Sequence, residues 1–449
     1  DPVEVGRRGP EAGDARDLGV ERCRQRGRGG REVDVAELAD RFGGGAPLAE
    51  GDWLVQPELA KTLKLIAAHG PDAFYRGPLA QAIVQAQRRA RPELGDAGRG
   101  RMTTADLARY AATIRKPLMG HYRGWTLATM PPPSSGGLTM LEMLGLLERF
   151  PLGDAAQGYG FGSPKTLHAT IEAMRLAFAD RAVWIGDDAA AAVPRAGLLH
   201  PGYLAARSAL IRSDARMDTP QAGDPTPWEA VAAPPKPAHV RAESPHTTHF
   251  AVVDRWGNVV THTSTIEFTW GSGITVPGYG FLLNNELTDF NFAPAADAAA
   301  GNPGANDVAP GKRPRSSMAP TLLFRDGRPV YAYGSPGGAT IVNSVLNVTL
   351  NLVDHGMTLQ QAIDAPRVSV THAAGRVDCE GGLTFMQPRI PAATQDALRA
   401  LGHTGLGDSG EGCDKTIGSV QAVSLDPAAG THDGAADPRR EGTVVRIRR

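Results

Sequence analysis

The feature that most restricts what this chain can fold into is the stretch "THFAVVDRWGNVVTHTSTI", Thr248 to Ile266. β-branched and apolar residues alternate on both sides of Trp256-Gly257-Asn258, which is the pattern of two antiparallel strands joined by a tight turn. A lone hairpin is marginal in water, so this one needs a sheet or a helical layer against one face. Downstream, Pro329 to Gly356 reads as a strand, a Gly-rich loop and a buried helix. Upstream, Leu138, Leu141, Leu144, Leu146 and Leu147 follow the loop "MPPPSSGG", and Leu167, Ile171, Met174 and Phe178 recur at steps of three and four. Another helical spacing, Leu59, Leu63, Leu65 and Ile66, stops at Gly70-Pro71. Hairpins mixed with helices, without a regular βαβ repeat, predict a layered α+β fold.

The chain has 449 residues, 41% hydrophobic and 21% charged, enough for one large core or two ordinary ones. A formal net charge of -1 gives no electrostatic reason to expect nucleic acid or an anionic membrane as partner, so small-molecule chemistry is the expectation. No run of about 18 apolar residues is present to span a bilayer. The start, Asp1-Pro2-Val3-Glu4, has neither the basic region nor the apolar region of a secretion signal. Cys23, Cys379 and Cys413 are odd in number and far apart. That spacing argues against a disulfide framework or a CxxC redox or zinc site and predicts free structural thiols.

Residues 1–45 hold nine arginines and no lysine, with little apolar periodicity. They are expected to be unfolded, as a basic arm, a disordered tail or an off-frame stretch. The portion from residue 46 to 246 follows, and folding is expected to begin at about Asp52. Residues 215–246, rich in Pro, Ala and Asp, read as an exposed connector.

The candidate chemistry sits around the end of that connector. His246 and His249 form an H-x-x-H pair, but residues three apart on a strand face opposite sides and cannot easily share an ion, so no metal site is expected. Gly334-Ser335-Pro336-Gly337-Gly338 lacks the G-x-S-x-G elbow of serine hydrolases and the Lys-Ser or Lys-Thr of a phosphate loop. Gly337 and Gly338 are either a plain strand-to-helix turn or two backbone donors for an oxyanion. Thr247 and Thr248 either merely start a strand or include a nucleophile. A threonine carries a base on its own backbone only when cleavage frees its α-amine, whose pKa of about 7.7 to 8.0 leaves a neutral fraction near pH 7.

The ordered motifs "LVQPELAKTL", "GPDAFYRG", "MPPPSSGG", "EAMRLAFADRA", "TTHFAVVD", "GFLLNNELTDF", "GKRPRSSMAPTL", "GSPGGATI", "APRVSV" and "DGAADPRREG" resemble the γ-glutamyltransferase (glutathione hydrolase) family, from about Asp52 to Arg449. The resemblance implies a four-layer αββα sandwich of the N-terminal nucleophile hydrolase type. It implies one precursor that cuts itself at His246-Thr247 into a large piece ending at 246 and a small catalytic piece, 247–449, which stay together as a heterodimer. By matching motif, Thr247 is the nucleophile with its freed amine as base, Thr265 its supporting hydroxyl, and Gly337 and Gly338 the oxyanion donors. Glu286 and Asp289 hold a glutamyl α-ammonium, and Ser316 and Ser317 touch its α-carboxylate. The implied substrates are a γ-glutamyl donor such as glutathione and, as acceptor, water or an amino acid or peptide, with no cofactor and no metal. The alternatives it leaves are an acylase of the cephalosporin, glutaryl or poly-γ-glutamate type, and an inactive truncated binding fragment. The family resemblance suggests a periplasmic or secreted setting if a full-length form carries a signal.

Two departures stand out. Glu267 occupies a position where the family often has Asn, and an added carboxylate would repel a substrate carboxylate or strengthen ammonium binding. The arginine that grips the α-carboxylate in the family would lie upstream of "LVQPELA" and matches no residue here. That missing beginning is also expected to leave a sheet edge unpaired.

Overall fold

The computed structural model describes residues 53–90, 95, 99–230, 247–294, 304–380, 390–406, 413, 415–426 and 429–446. The Arg-rich segment 1–45, Cys23 and His246 lie outside the described residues.

In chain order the strands are β1 (Leu118–Tyr122), β2 (Trp125–Thr129), β3 (Thr247–Val253), β4 (Val259–Thr265), β5 (Thr321–Arg325), β6 (Arg328–Gly334), β7 (Val368–Ser369), β8 (Asp378–Cys379), β9 (Gln421–Asp426) and β10 (Thr431–Ala436). Six of them form one antiparallel sheet in the order β1-β2-β5-β6-β9-β10. Two of its hairpins turn through Arg123-Gly124 and Asp326-Gly327, where all four residues have positive φ. That is the primed turn whose twist matches the flanking strands, and glycine supplies its second position without a Cβ penalty.

The principal helices are α1 (Pro57–His69), α2 (Pro78–Arg88), α3 (Gly136–Leu147), α4 (Pro164–Trp184), α5 (Pro201–Ser208), α6 (Thr340–Val353) and α7 (Ala392–Ala400). α3, α4 and α6 are buried along almost their whole length. Their apolar side chains meet Tyr122, Leu127, Leu323, Tyr333 and Ala422 of the six-stranded sheet in a single core. α4 begins where Ser163 accepts a hydrogen bond from the Thr166 N–H and Pro164 takes the first helical turn. Because α4 is buried on all sides, its charged residues must find partners inside the protein. Glu172 pairs with Arg175 at 2.7 Å, and Asp180 with Arg207 of α5 at 2.9 Å. No helix among the described residues is long and apolar enough to cross a membrane.

The β3–β4 hairpin packs against the six-stranded sheet as a second, two-stranded sheet. Thr261 Oγ1 donates to the Tyr333 carbonyl at 3.2 Å, and the His249 ring lies so close to Gly334 that a Cβ there would stand 2.4 Å from it. Alternation then fixes the two faces. Thr247, His249, Thr261 and Thr265 turn inward, while Phe250, Val252 and Val260 turn outward at 46%, 51% and 54% exposure. Among the described residues, β3 has no strand partner other than β4.

The free-thiol expectation is corrected for two of the three cysteines. Cys379 and Cys413 form a disulfide across 34 residues of sequence. Their distance along the chain said nothing about their distance in space: β8 carries Cys379 to the core, and the returning chain is held beside it by the Lys415 N–H on the Cys379 carbonyl at 3.1 Å.

Candidate active site

Antiparallel register places Thr247 directly opposite Thr265, on the inward face of the hairpin. The Thr247 hydroxyl donates to Thr265 Oγ1 at 3.2 Å, and the Glu267 N–H donates to the same oxygen at 2.9 Å. Glu267 is buried and has φ of +72°, a left-handed conformation that is strained for a residue with a long side chain. Asn285 holds it there by donating from Nδ2 to the Glu267 carboxylate, while Asn285 Oδ1 accepts from the Phe268 N–H at 2.9 Å. The next residues, Glu286–Asp289, form a single 3-10 turn. Asn306 supports it by donating to the Asp289 carbonyl at 2.7 Å.

The opposite wall comes from two loops pressed together. Gly136 and Gly137 open α3 because any Cβ there would lie 2.4 Å from the Ser317 carbonyl and 2.3 Å from that of Met130. The Ser135 N–H and hydroxyl both donate to the Ser316 carbonyl, at 2.7 and 2.8 Å. This brings Ser316 and Ser317 to the cavity. Gly338, at φ of +58°, reaches it from the turn before α6.

Two concavities meet at Thr247. The larger, about 320 Å³, runs along Thr247–Ala251 of β3 against β9, β10 and residues 440–445. The smaller is lined by Thr247, Thr265, Glu267, Glu286, Asp289, Ser316, Ser317, Met318, Gly338 and Ile341. Size favours the first. Chemistry favours the second, which joins hydroxyls and carboxylates drawn from four separate segments. It contains every candidate residue within the described chain except Gly337, which adjoins it in sequence at φ of +138°.

His249 is no candidate base. Burial, and secondarily His262, push its pKa down to about 3, and its ring nitrogens bond Thr263 Oγ1 at 2.8 Å and Thr261 Oγ1 at 3.2 Å. Among the described residues no cluster of His, Cys, Asp and Glu is arranged to hold a metal ion.

The gamma-glutamyltranspeptidase family model matches residues 32–447. The chain belongs to this family. It is 42% identical over 409 residues to the "Glutathione hydrolase proenzyme" of Bacillus subtilis strain 168, covering 90% of this chain and 63% of the relative. It is 38% identical over 405 residues to the "Acylase ACY 1 proenzyme" of Pseudomonas sp. strain SE83, again 90% of this chain and 63% of the relative. Among solved structures, the cephalosporin acylase from Bacillus halodurans superposes with a TM-score of 0.72 at 28% identity, covering 92% of this chain and 67% of that one. The chain thus spans less than two thirds of the length of these curated relatives. It has the α+β fold of the N-terminal nucleophile hydrolases, a four-layer αββα sandwich of which the described residues supply one helical layer, the six-stranded sheet and, as the second sheet, β3–β4. The family match begins at residue 32, ahead of Asp52, where the recognisable motifs start.

Sequence reading left several supporting residues unassigned. Asn285, Asn306, Ser135 and Arg181 brace the cavity walls, and Arg367, Glu380, Asp437 and Arg439 form a buried ionic cluster that anchors the segment leading to residues 440–445. The available signal was charge in apolar surroundings: Arg181 in "EAMRLAFADRA" and the acid and arginine of "DPRREG" have no place in a core unless paired.

Proposed function

We propose that this chain is an autoprocessing γ-glutamyl amide hydrolase and transferase whose nucleophile is Thr247. In the uncut chain the Thr247 nitrogen is tied in a peptide bond to His246. Attack of Thr247 Oγ1 on the His246 carbonyl would exchange that peptide for an ester, and water would cleave the ester, freeing the amine. The resulting pieces, ending at 246 and starting at 247, remain associated through the shared core. On a γ-glutamyl amide, the freed amine takes the Thr247 hydroxyl proton as Oγ1 attacks the γ-carbonyl. The ester forms, the C–N bond breaks, and the proton passes to the departing amine. Water or an amino-acid amine then attacks the ester and regenerates Thr247. Thr265, already accepting the Thr247 hydroxyl at 3.2 Å, orients the nucleophile, and the Gly337 and Gly338 N–H groups serve as oxyanion donors.

The observation that carries this reading is the composition of the cavity. Beside Thr247 stand three carboxylates, Glu267, Glu286 and Asp289, and two serine hydroxyls, with no basic side chain among the described lining residues. Carboxylates suit an α-ammonium and hydroxyl donors suit an α-carboxylate, which together describe a γ-linked glutamate. Glu267 accordingly strengthens ammonium binding. A glutaryl group has no ammonium to meet the carboxylates of this cavity, which counts against the acylase alternative suggested by the ACY 1 and cephalosporin acylase likenesses. The disulfide Cys379–Cys413 supports a periplasmic or secreted setting, where such bonds persist. The test compares turnover of γ-glutamyl and glutaryl anilides. A clear preference for γ-glutamyl is expected, and a preference for glutaryl would sink the reading.

A further inference from the structure

The turn that carries the two glycines ties down its carbonyls rather than its N–H groups. Ser335 Oγ donates to the Pro336 carbonyl at 2.6 Å and accepts from the Ser419 N–H at 2.9 Å, which fixes the buried start of the turn. One residue on, the Gly337 carbonyl accepts twice from Thr340, the first residue of α6: from its N–H at 3.2 Å and from its hydroxyl at 2.8 Å. A Cβ on Gly337 would stand 2.5 Å from Thr340 Oγ1, so glycine is what admits the hydroxyl this close. Among the described residues, neither the Gly337 nor the Gly338 N–H donates a hydrogen bond.

The orientation of one peptide decides what this turn can do. Gly337 and Gly338, at φ of +138° and +58°, lie in backbone regions that sterics leave open to glycine, and two glycines in a row give the peptide between them little preference of its own. In a trans peptide the C=O and the following N–H point in opposite directions. Holding the Gly337 carbonyl on Thr340 therefore turns the Gly338 N–H away from Thr340, and Gly338 lines the cavity shared with Thr247. The flipped peptide would present a carbonyl oxygen instead, which repels a developing oxyanion.

We infer that Thr340 is a positioning residue for acyl transfer: its hydroxyl holds the Gly337–Gly338 peptide so that the Gly338 N–H faces the oxyanion formed when Thr247 attacks. As Thr247 Oγ1 bonds to the substrate carbonyl carbon, the π electron pair moves onto the carbonyl oxygen. A donor already aimed there stabilises that charge without reorganising. The inference rests on acyl transfer at Thr247, and not on which acyl group is transferred.

The test compares Thr340→Val, which keeps the shape and loses the hydroxyl, with Thr340→Ser, which keeps the hydroxyl. Rates are taken with γ-glutamyl anilide and counted per self-cleaved chain, and L-glutamate binding is measured by calorimetry on the same samples. Thr340→Val is expected to lower kcat and kcat/KM together by about tenfold, the pattern of an interaction made only in the transition state. The loss is smaller than the roughly 10²- to 10³-fold of removing an oxyanion donor, because the Thr340 N–H still holds the carbonyl. L-glutamate affinity should stay within about twofold, and Thr340→Ser should return kcat to within about threefold of the parent. An unchanged kcat in Thr340→Val, a loss of L-glutamate affinity as large as the loss of rate, or a Thr340→Ser as slow as Thr340→Val would overturn the inference and leave Thr340 a helix-start residue. A folded Thr340→Val chain that stays uncut while Thr340→Ser cleaves counts for it, since self-cleavage passes through an oxyanion of the same kind. Should Thr340→Val not fold, Thr340→Ala takes its place in the same comparison. A parent that prefers glutaryl anilide overturns the γ-glutamyl reading alone, and the variants are then compared with glutaryl anilide and glutarate. A parent that turns over neither anilide overturns both.

Discussion

The six-stranded sheet and the β3–β4 hairpin use the same alternating strand pattern and meet opposite circumstances. The first is covered by α3, α4 and α6 on one side and by the hairpin on the other, and its apolar residues join the main core. The hairpin buries only its inner face, where Thr247 and Thr265 stand, and leaves Phe250, Val252 and Val260 half exposed. Stability therefore resides mainly in the larger sheet, and the proposed chemistry in the smaller one. Among the described residues, the strand that carries Thr247 is covered on one face only.

The sharpest way to break this division is at Thr247. Thr247→Ala should abolish self-cleavage, leaving one band on a denaturing gel, and lower activity by about 10⁴-fold or more, the scale of losing a nucleophile. Its melting temperature should hardly change. An active enzyme with Ala at this position would move the chemistry elsewhere.

Next comes a paired substitution. Leu144→Ala in α3 removes a fully buried side chain and should cost about 2 to 5 kcal/mol in denaturant unfolding. Val252→Ala on the outer face of the hairpin should stay within about 0.5 kcal/mol. Comparable losses would show that the outer face is covered in solution.

The Cys379–Cys413 bond joins residues 34 apart in sequence. Cys413→Ser should lower stability by about 2 to 4 kcal/mol in chemical unfolding, with catalysis preserved in what remains folded. A larger effect on kcat than on stability would tie the disulfide to the active site.

pH separates the two regions further. Glu142, inside α3, is pushed well above the ordinary carboxylate range by burial and then by the neighbouring Asp180, with Arg207 opposing. A folded pKa above the unfolded one means stability that is full below about pH 4 and is lost as the pH climbs through the folded value. Glu142→Gln, neutral throughout, should therefore match the parent at acidic pH and exceed it in Tm increasingly above that. A uniform shift at all pH values would contradict the assignment.

The smallest effect is expected at His249. Its pKa, depressed to about 3, makes it neutral wherever catalysis would run, and stability is lost as the pH falls from its ordinary value of about 6.5 toward 3. His249→Gln should flatten that acid decline while retaining turnover. The acidic limb of the rate should remain, because the proposed mechanism assigns it to the Thr247 amine. Disappearance of that limb would make His249 the base.

Much of the smaller sheet could be read directly. Alternation around Trp256-Gly257-Asn258 predicted the hairpin, and the turn forms as expected, with the Trp256 and Asn258 N–H groups on Asp254 Oδ1, each at 2.9 Å. The apolar repeats of α3, α4 and α6 were equally legible, since helical period is a local property. The stripe of α1 was less informative: the helix forms, yet Leu63 is exposed and Thr62 is the residue it buries. Local period shows that a helix has a preferred face without showing what lies opposite. The cysteines misled for the same reason, because their pairing depends on where β8 and the later loop arrive.

What the sequence determined by itself is the parity of β3 and β4, which puts Thr247, His249 and Thr265 on one face, and the motif order that marks the family. The cavity was decided only in three dimensions. Glu286 and Asp289 reach it on a 3-10 turn, Ser316 and Ser317 on a loop pinned to Ser135, and Arg181 stands 136 residues from the Ser317 hydroxyl it holds. Strand alternation and helical period act over a few residues, whereas these contacts depend on burying α3, α4 and α6 against one sheet. A cation inside such a core must find its hydrogen-bond acceptors within reach, and in this fold the packing brings Ser317 of the cavity wall and Ser135 of the neighbouring loop to Arg181.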